Sequence, residues 1–453
     1  MNKSKFFIIK CNKSDLINNT RIVFNKSKSA YRLHHENIID FEDYFDYYFS
    51  CYFETIYYET NIENFISIKI KERKKMITVS GKYNYAHIML DEVEENVKEQ
   101  IITFLDSPVF KKSKIRIMPD CHVGSGSCIG FTATLGEHII PAIVGVDISC
   151  GVETYCLGNI EIDFQKFDQF IRENIPCGFN IRKNPARELS NHHEDLIREI
   201  YNVCDKTDQD FNKVKLSLGT LGGGNHLEEL NLDNKGNVWF TVHTGSRNFG
   251  LKIANFYQNK AKELMKKFFI ETPRDLEFLP MEYGGEEYLK DMEVAQKYAE
   301  LNRHIIAKEV VENFFSKRIE DVKSIKSVHN YIDLKNRIIR KGAISAYEGE
   351  EVVIPLNMRD GIILGTGKGN KEYNYSAPHG AGRVLGRNQA KKELDIKDFE
   401  NSMKGIWSSC ISEKTLDESP MVYKNKDLII FSISEVVDII DIAKPIYNFK
   451  AAE

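Results

Sequence analysis

Five short segments between Val144 and Arg383 constrain this chain more than any other feature. They are Val144-Gly145-Val146-Asp147-Ile148-Ser149-Cys150-Gly151, Leu221-Gly222-Gly223-Gly224-Asn225-His226-Leu227-Glu228-Glu229, Thr241-Val242-His243-Thr244-Gly245-Ser246-Arg247, Ser327-Val328-His329-Asn330-Tyr331 and Ser376-Ala377-Pro378-His379-Gly380-Ala381-Gly382-Arg383. Alone, each has a plain structural explanation. Asp-x-x-Cys reads as a capped turn with a buried thiol, the glycine triplet as a flexible turn, His243 as a satisfied core histidine and His379 as a turn residue. Together they suggest a fold that brings strand ends and loops to one place. One aspartate, one cysteine and three histidines suffice for a dinuclear metal site, and thiolate with imidazole points by ligand softness to zinc. His379 stands apart, in a loop of small residues, and reads as a nucleophile. A neutral imidazole nitrogen attacks phosphorus when charge on the phosphates is neutralised and the leaving pyrophosphate is in line.

The rest of the chain predicts an α+β architecture: one large mixed α/β catalytic domain over 76–453 and a small N-terminal extension over 1–75. The extension contains neither glycine nor proline, and Phe41-Glu42-Asp43-Tyr44-Phe45-Asp46-Tyr47-Tyr48-Phe49 interleaves aromatics with acids. It reads as a packed accessory unit, with a partner surface as the lesser alternative. Beyond Met76, Ile77–Ser80, Ile115–Met118, Ile129–Leu135, Ile139–Ile148, Val238–Val242, Val352–Ile354 and Ile362–Leu364 read as strands. Helical spacing marks Val93 to Leu105, Phe164 to Asn174, His193 to Cys204, Lys252 to Phe268 and Glu287 to Phe315. The tail Leu428 to Ile442 is apolar and β-branched. Gly365-Thr366-Gly367-Lys368-Gly369-Asn370 lacks the spacing of a Walker loop and reads as a hairpin turn. Arg340-Lys341 beside Gly342 is a basic pair suited to phosphate.

Composition narrows the class. No apolar run approaches the length of a membrane span, and the first ten residues lack a signal-peptide core. The expected compartment is therefore the cytoplasm, with no membrane partner. Nine cysteines without a framework suggest reduced thiols. A net charge of −4 gives no global basic field, but phosphate contacts need only a patch.

These segments, in this order, resemble the RtcB family of RNA-splicing ligases. The likeness includes Met118-Pro119-Asp120-Cys121-His122 and Arg340 to Ala346, and runs from about Met76 to the C terminus. It implies a GTP- and Mn2+-dependent RNA ligase that joins RNA 3′-phosphate or 2′,3′-cyclic phosphate ends to 5′-hydroxyl ends, in tRNA splicing or RNA repair. His379 would attack the α-phosphate of GTP and form a histidine–GMP intermediate. GMP would pass to the RNA 3′-phosphate, and the 5′-hydroxyl would then displace it. A cyclic phosphate would first be opened by water. By the same resemblance Asp147, Cys150 and His226 hold one Mn2+, and Cys150, His243 and His329 the other, in place of the zinc that softness suggests. Asn225, His226, Leu227, Glu228, Glu229, Asn330, Pro355, Leu356, Asn357, Met358, His379, Gly380, Ala381, Gly382 and Lys450 would line the GTP site. Asp120 and His122 would act behind the site or on RNA phosphate. Cys121, Leu227 and Ile362 stand where the family usually has valine, phenylalanine and a serine near the base. The alternatives are a metal-dependent RNA cyclic phosphodiesterase and an RNA-binding paralogue with a vestigial site.

Overall fold

The computed structural model describes residues 76–190 and 193–451. Of the first 75 residues it describes the strands Phe6–Asn12, Thr20–Val23, Arg32–His35, Phe53–Thr60 and Phe65–Glu72. The chain divides into two compact units, 1–75 and 76–453. In the first, Phe65–Glu72 pairs antiparallel with Phe6–Asn12 on one side and Phe53–Thr60 on the other, and Thr20–Val23 pairs with Arg32–His35. The aromatic–acidic stretch Phe41–Phe49 lies outside the described residues.

The second unit mixes helices and sheets, and is built on a seven-stranded antiparallel sheet. Its order is Ser324–Val328, Gly151–Gly158, Val238–Thr244, Leu227–Leu232, Val437–Lys450, Gly361–Gly367 and Glu351–Asn357. Register carries the functional argument. Gly151 pairs with both Thr244 and Val328, and Leu227 pairs with both His243 and Lys450. Cys150, His226, His243, His329 and Lys450 therefore gather at one end of the sheet, although they are distant in sequence. A six-stranded sheet, in the order Tyr331–Asp333, Ile338–Lys341, Phe131–Thr134, Ile115–Ile117, Tyr85–Ile88 and Ile77–Ser80, supplies the neighbouring loops.

The helix Gly285–Asn313 locks this sheet end in place. Its Arg303 is buried and donates to the carbonyls of Ser149 (2.9 Å) and Thr244 (3.0 Å). Its Asn302, also buried, accepts from the amides of Gly219 (2.7 Å) and Thr220 (3.1 Å) and donates to the Gly245 carbonyl (3.2 Å). Backbone groups that no strand satisfies are thus met by one helix.

Helix Phe164–Asn174 starts where Asp163 caps it by accepting from the Lys166 amide, and buries Phe167 and Ile171 against Phe240 and Tyr447. One apolar stretch departs from expectation. Within 139–148 only His138–Ile139 is strand; Pro141 opens a helical turn, Pro141–Val144, and Gly145, at φ 94°, ends it. Proline at the first helical position and a positive-φ glycine outweigh β-branching here. The tail splits into helix Lys426–Ile433, capped by Asn425, and strand Val437–Lys450. No helix among the described residues is long and apolar enough to cross a membrane. The cysteines among residues 76–451 are unpaired.

Candidate functional site

At the sheet end, Cys150 Sγ lies 3.4 Å from His226 Nε2 and 3.3 Å from His243 Nε2. His226 Nε2 is 3.0 Å from Asp147 Oδ2. Two groups of atoms that could hold a metal ion result, Asp147–Cys150–His226 and Cys150–His243–His329, each with its candidate ligand atoms within 4.8 Å of one another. Cys150 belongs to both. The backbone is bent to achieve this: Ser149, Arg247 and Asn330 adopt positive φ (57°, 56° and 61°), each beside or near a ligand. Such conformations are uncommon for these residue types and concentrate at functional sites.

The electrostatics suit cations. Burial holds the His243 and His329 imidazoles well below their usual pKa, so both are neutral and offer lone pairs. Burial, reinforced by Asp147, pushes the Cys150 thiol well above its ordinary range. Burial also raises the Asp147 carboxyl, but hydrogen bonding and charge from His226, with Cys150 and Arg247, outweigh that and leave it below the usual value. The charge of Arg303 lowers the thiol but does not offset burial and Asp147, and a divalent cation would supply the missing positive charge. One thiol, one carboxylate and three imidazoles are a fitting donor set.

Facing the sheet end is a loop wall. Ser376–Pro378 pairs with Ala343–Ser345 and delivers His379. Asp120 is fully buried; its Oδ2 accepts from the His379 amide (3.2 Å) and from His379 Nδ1 (2.6 Å). A carboxylate on Nδ1 fixes the tautomer and leaves the Nε2 lone pair free. Gly382, at φ 76°, is required here: a Cβ would stand 2.3 Å from the Asp120 carbonyl oxygen. The His379 and His329 ring centroids are 4.6 Å apart, which brings the two walls into contact.

Between the walls is a cavity of about 290 Å³. Its lining includes Asp147, Cys150, Asn225, Leu227, Glu229, His243, His329, Asn330, Pro355, Leu356, Asn357, His379, Gly380, Ala381, Gly382 and Lys450. Lys450 pairs with Glu418 at 2.7 Å, both buried, and Glu418 also meets Arg383 (3.3 Å) and Arg387 (3.1 Å). Burial raises the Glu229 carboxyl to about 7 despite hydrogen bonds from Asn231 and Asn448 and the charge of Lys450.

Other sequence-derived residues fall elsewhere. His226 is not in that lining but closes the first ligand group. Glu228 is fully buried on the opposite face of its strand, and neither carboxyl oxygen has a hydrogen-bond partner among the described residues. Met358 packs with Phe399, Met403 and Leu416. Ile362 lies in an apolar cluster with Val152, Trp239 and Val353, whereas its neighbour Gly361 lines the cavity. Sequence reasoning did not find Arg303, Glu418 or Tyr423, which lines the cavity and donates to Glu418 Oε2 (2.7 Å). It saw Asp120 only as part of a motif, because nothing local ties it to His379.

Residues 100–451 match the family model described as "tRNA-splicing ligase RtcB". The chain is 31% identical over 380 residues to a protein of Escherichia coli named "RNA-splicing ligase RtcB1", covering 77% of this chain and 92% of that one. It is 28% identical over 435 residues to the "tRNA-splicing ligase RtcB" of Methanococcus maripaludis, covering 78% and 90%.

Proposed function

Because this chain belongs to the RtcB family of tRNA-splicing ligases, we propose that it joins RNA 3′-phosphate or 2′,3′-cyclic phosphate ends to 5′-hydroxyl ends, with GTP and two Mn2+ ions, through a histidine–GMP intermediate. The single observation that carries this reading is the Asp120–His379 pair opening onto the Cys150-centred ligand groups.

In this reading Asp147, Cys150 and His226 would hold one ion, and Cys150, His243 and His329 the other. The ions would supply charge neutralisation at phosphate oxygens. Asp120 keeps the His379 proton on Nδ1, so Nε2 attacks the α-phosphorus of GTP, the P–N bond forms and pyrophosphate departs. As the bond forms, positive charge grows on the imidazole and the Asp120 carboxylate offsets it. GMP then moves to the RNA 3′-phosphate, restoring His379, and attack by the 5′-hydroxyl releases it. Asn225, Glu229, Asn330, Gly380 to Gly382 and Lys450 shape the nucleotide site, with the loop Pro355 to Met358 beside it.

The test is incubation with α-labelled GTP and Mn2+, followed by denaturation. Acid-labile label is expected on the wild-type chain and on neither His379→Ala nor Cys150→Ala. Folded, metal-loaded wild type that takes no label would defeat the proposal. Cleavage of a cyclic phosphate without ligation would then indicate a phosphodiesterase, and RNA binding alone a vestigial site.

A further inference from the structure

The ligase reading accounts for the cavity but not for a loop packed against the segment that carries His226. The loop Pro176 to Arg182 lies against the glycine triplet: Cys177 bridges to Gly222, Gly178 donates to the Gly222 carbonyl (2.9 Å), and Leu221 donates to the Pro176 carbonyl (2.9 Å). Arg247 stitches the same place, donating to the Gly178 carbonyl (3.0 Å) and to Thr220 Oγ1 (3.1 Å). A Cβ on Gly222 would stand 2.8 Å from the ring of His226. On this anchored loop the Phe179 side chain is 99% exposed.

An aromatic ring that buries nothing adds nothing to the core, and single exposed apolar residues are ordinary. Three further facts set Phe179 apart. The three residues before it are tied to the segment that carries the candidate metal ligand His226, and Arg182 after it donates from its amide to the Leu216 carbonyl (2.9 Å). The surrounding sequence, Phe179-Asn180-Ile181-Arg182-Lys183-Asn184, holds two cations and no acid, and Lys183 is exposed with no ion pair among the described residues. At the cavity itself Val123, Val146 and Val384 are about half exposed, and each is the sequence neighbour of a lining residue, His122, Asp147 and Arg383. A polar cavity with apolar residues at its edge, and an aromatic, cationic loop against the segment that carries His226, suits a strand whose backbone is anionic and whose bases have apolar faces.

We propose that Phe179 is a stacking platform for a nucleobase of the RNA strand whose end enters the cavity, with Lys183 facing its phosphate backbone. This deepens the ligase reading and rests on it. Stacking on an aromatic ring is sequence-tolerant, so the platform sets reach and affinity without selecting a base.

The experiment measures two quantities on the full chain. One is GMP labelling from α-labelled GTP, which needs no RNA. The other is the affinity for a 3′-phosphorylated single-stranded RNA oligonucleotide, read by fluorescence anisotropy, beside the same oligonucleotide with abasic nucleotides at its last positions. Phe179→Ala is expected to label like wild type and to bind the intact RNA roughly five- to a hundredfold more weakly. Phe179→Trp is expected to retain affinity. The abasic RNA is expected to bind wild type as weakly as the intact RNA binds Phe179→Ala. Phe269→Ala, which removes a 95% exposed ring just past the end of helix Arg247–Lys267 opposite Arg247, is the control and should change neither quantity. Equal RNA affinity of wild type and Phe179→Ala overturns the inference, leaves the ligase reading intact, and makes a protein partner the better explanation of the ring. Absence of label on wild type defeats the ligase reading separately, and the binding arm still decides on Phe179.

Discussion

The two walls of the cavity are built on different principles. The sheet wall places Cys150, His226, His243 and His329 through strand register, with Arg303 and Asn302 fastening the strand ends from behind. Moving any one of them requires moving a strand. The loop wall places His379 through a single carboxylate, Asp120, and a glycine that fits against it. Metal ligation tolerates little error, and a sheet end provides rigidity. In the proposed reaction His379 takes up and gives away a nucleotide, and for that a fixed tautomer matters more than a fixed frame. The walls should therefore fail differently.

The largest separation is expected between Cys150→Ala and Asp120→Asn. Cys150→Ala removes the ligand common to both groups. Metal content should fall and GMP labelling should drop by at least about a thousandfold, the equivalent of several kcal/mol of charge stabilisation. Asp120→Asn keeps shape but no longer favours the Nδ1–H tautomer. Labelling should fall by about 10² to 10⁴, as expected for loss of an orienting carboxylate, while metal content measured by mass spectrometry stays at the wild-type level. Equal metal loss in both variants would show that the walls are one unit.

The sheet wall was the more legible in sequence. Each of Asp147, Cys150, His226, His243 and His329 sits where an apolar run meets glycine or asparagine, so each was visible separately, and chemistry alone suggested grouping them. The link between Asp120 and His379 spans 259 positions and crosses two sheets, and no local pattern announces it. The same division runs through the fold. Helix Phe164–Asn174 was readable because its cap and its buried face are both local. Residues 139–148 and 428–442 were not, since β-branched apolar residues serve a buried helix turn as well as a strand, and packing decides. Glu228 shows the limit from the other side: adjacent to Glu229 in the sequence and equally acidic, it faces away from the cavity because side chains alternate along a strand.

That alternation gives the next prediction. Glu229 is held by Asn231 and Asn448, whereas Glu228 has no hydrogen-bond partner among the described residues and burial raises its carboxyl to about 8. A buried polar group without a hydrogen bond costs roughly 1–3 kcal/mol. Glu228→Leu should therefore raise unfolding free energy by about that much in urea titration, with metal content and GMP labelling unchanged. Destabilisation instead would mean that Glu228 has a partner in solution, and that both faces of the strand serve the site.

The smallest effect at neutral pH is expected on the loop wall, from His122. It lines the cavity and its Nδ1 donates to the Asp120 carbonyl (2.9 Å), and burial lowers its pKa from 6.5 to about 4. Between these values the unfolded chain binds a proton that the folded chain does not. Stability contributed by His122 is thus fully present above about pH 6.5 and falls as pH drops toward 4. His122→Asn keeps a hydrogen-bond donor but cannot titrate, so the variant should match wild type near pH 7 and lose less stability on acidification. Urea titrations at pH 7 and pH 5 read the difference directly. Parallel pH curves for the two proteins would show that the ring is solvated in the folded chain, and that the loop wall opens more readily than the sheet wall behind it.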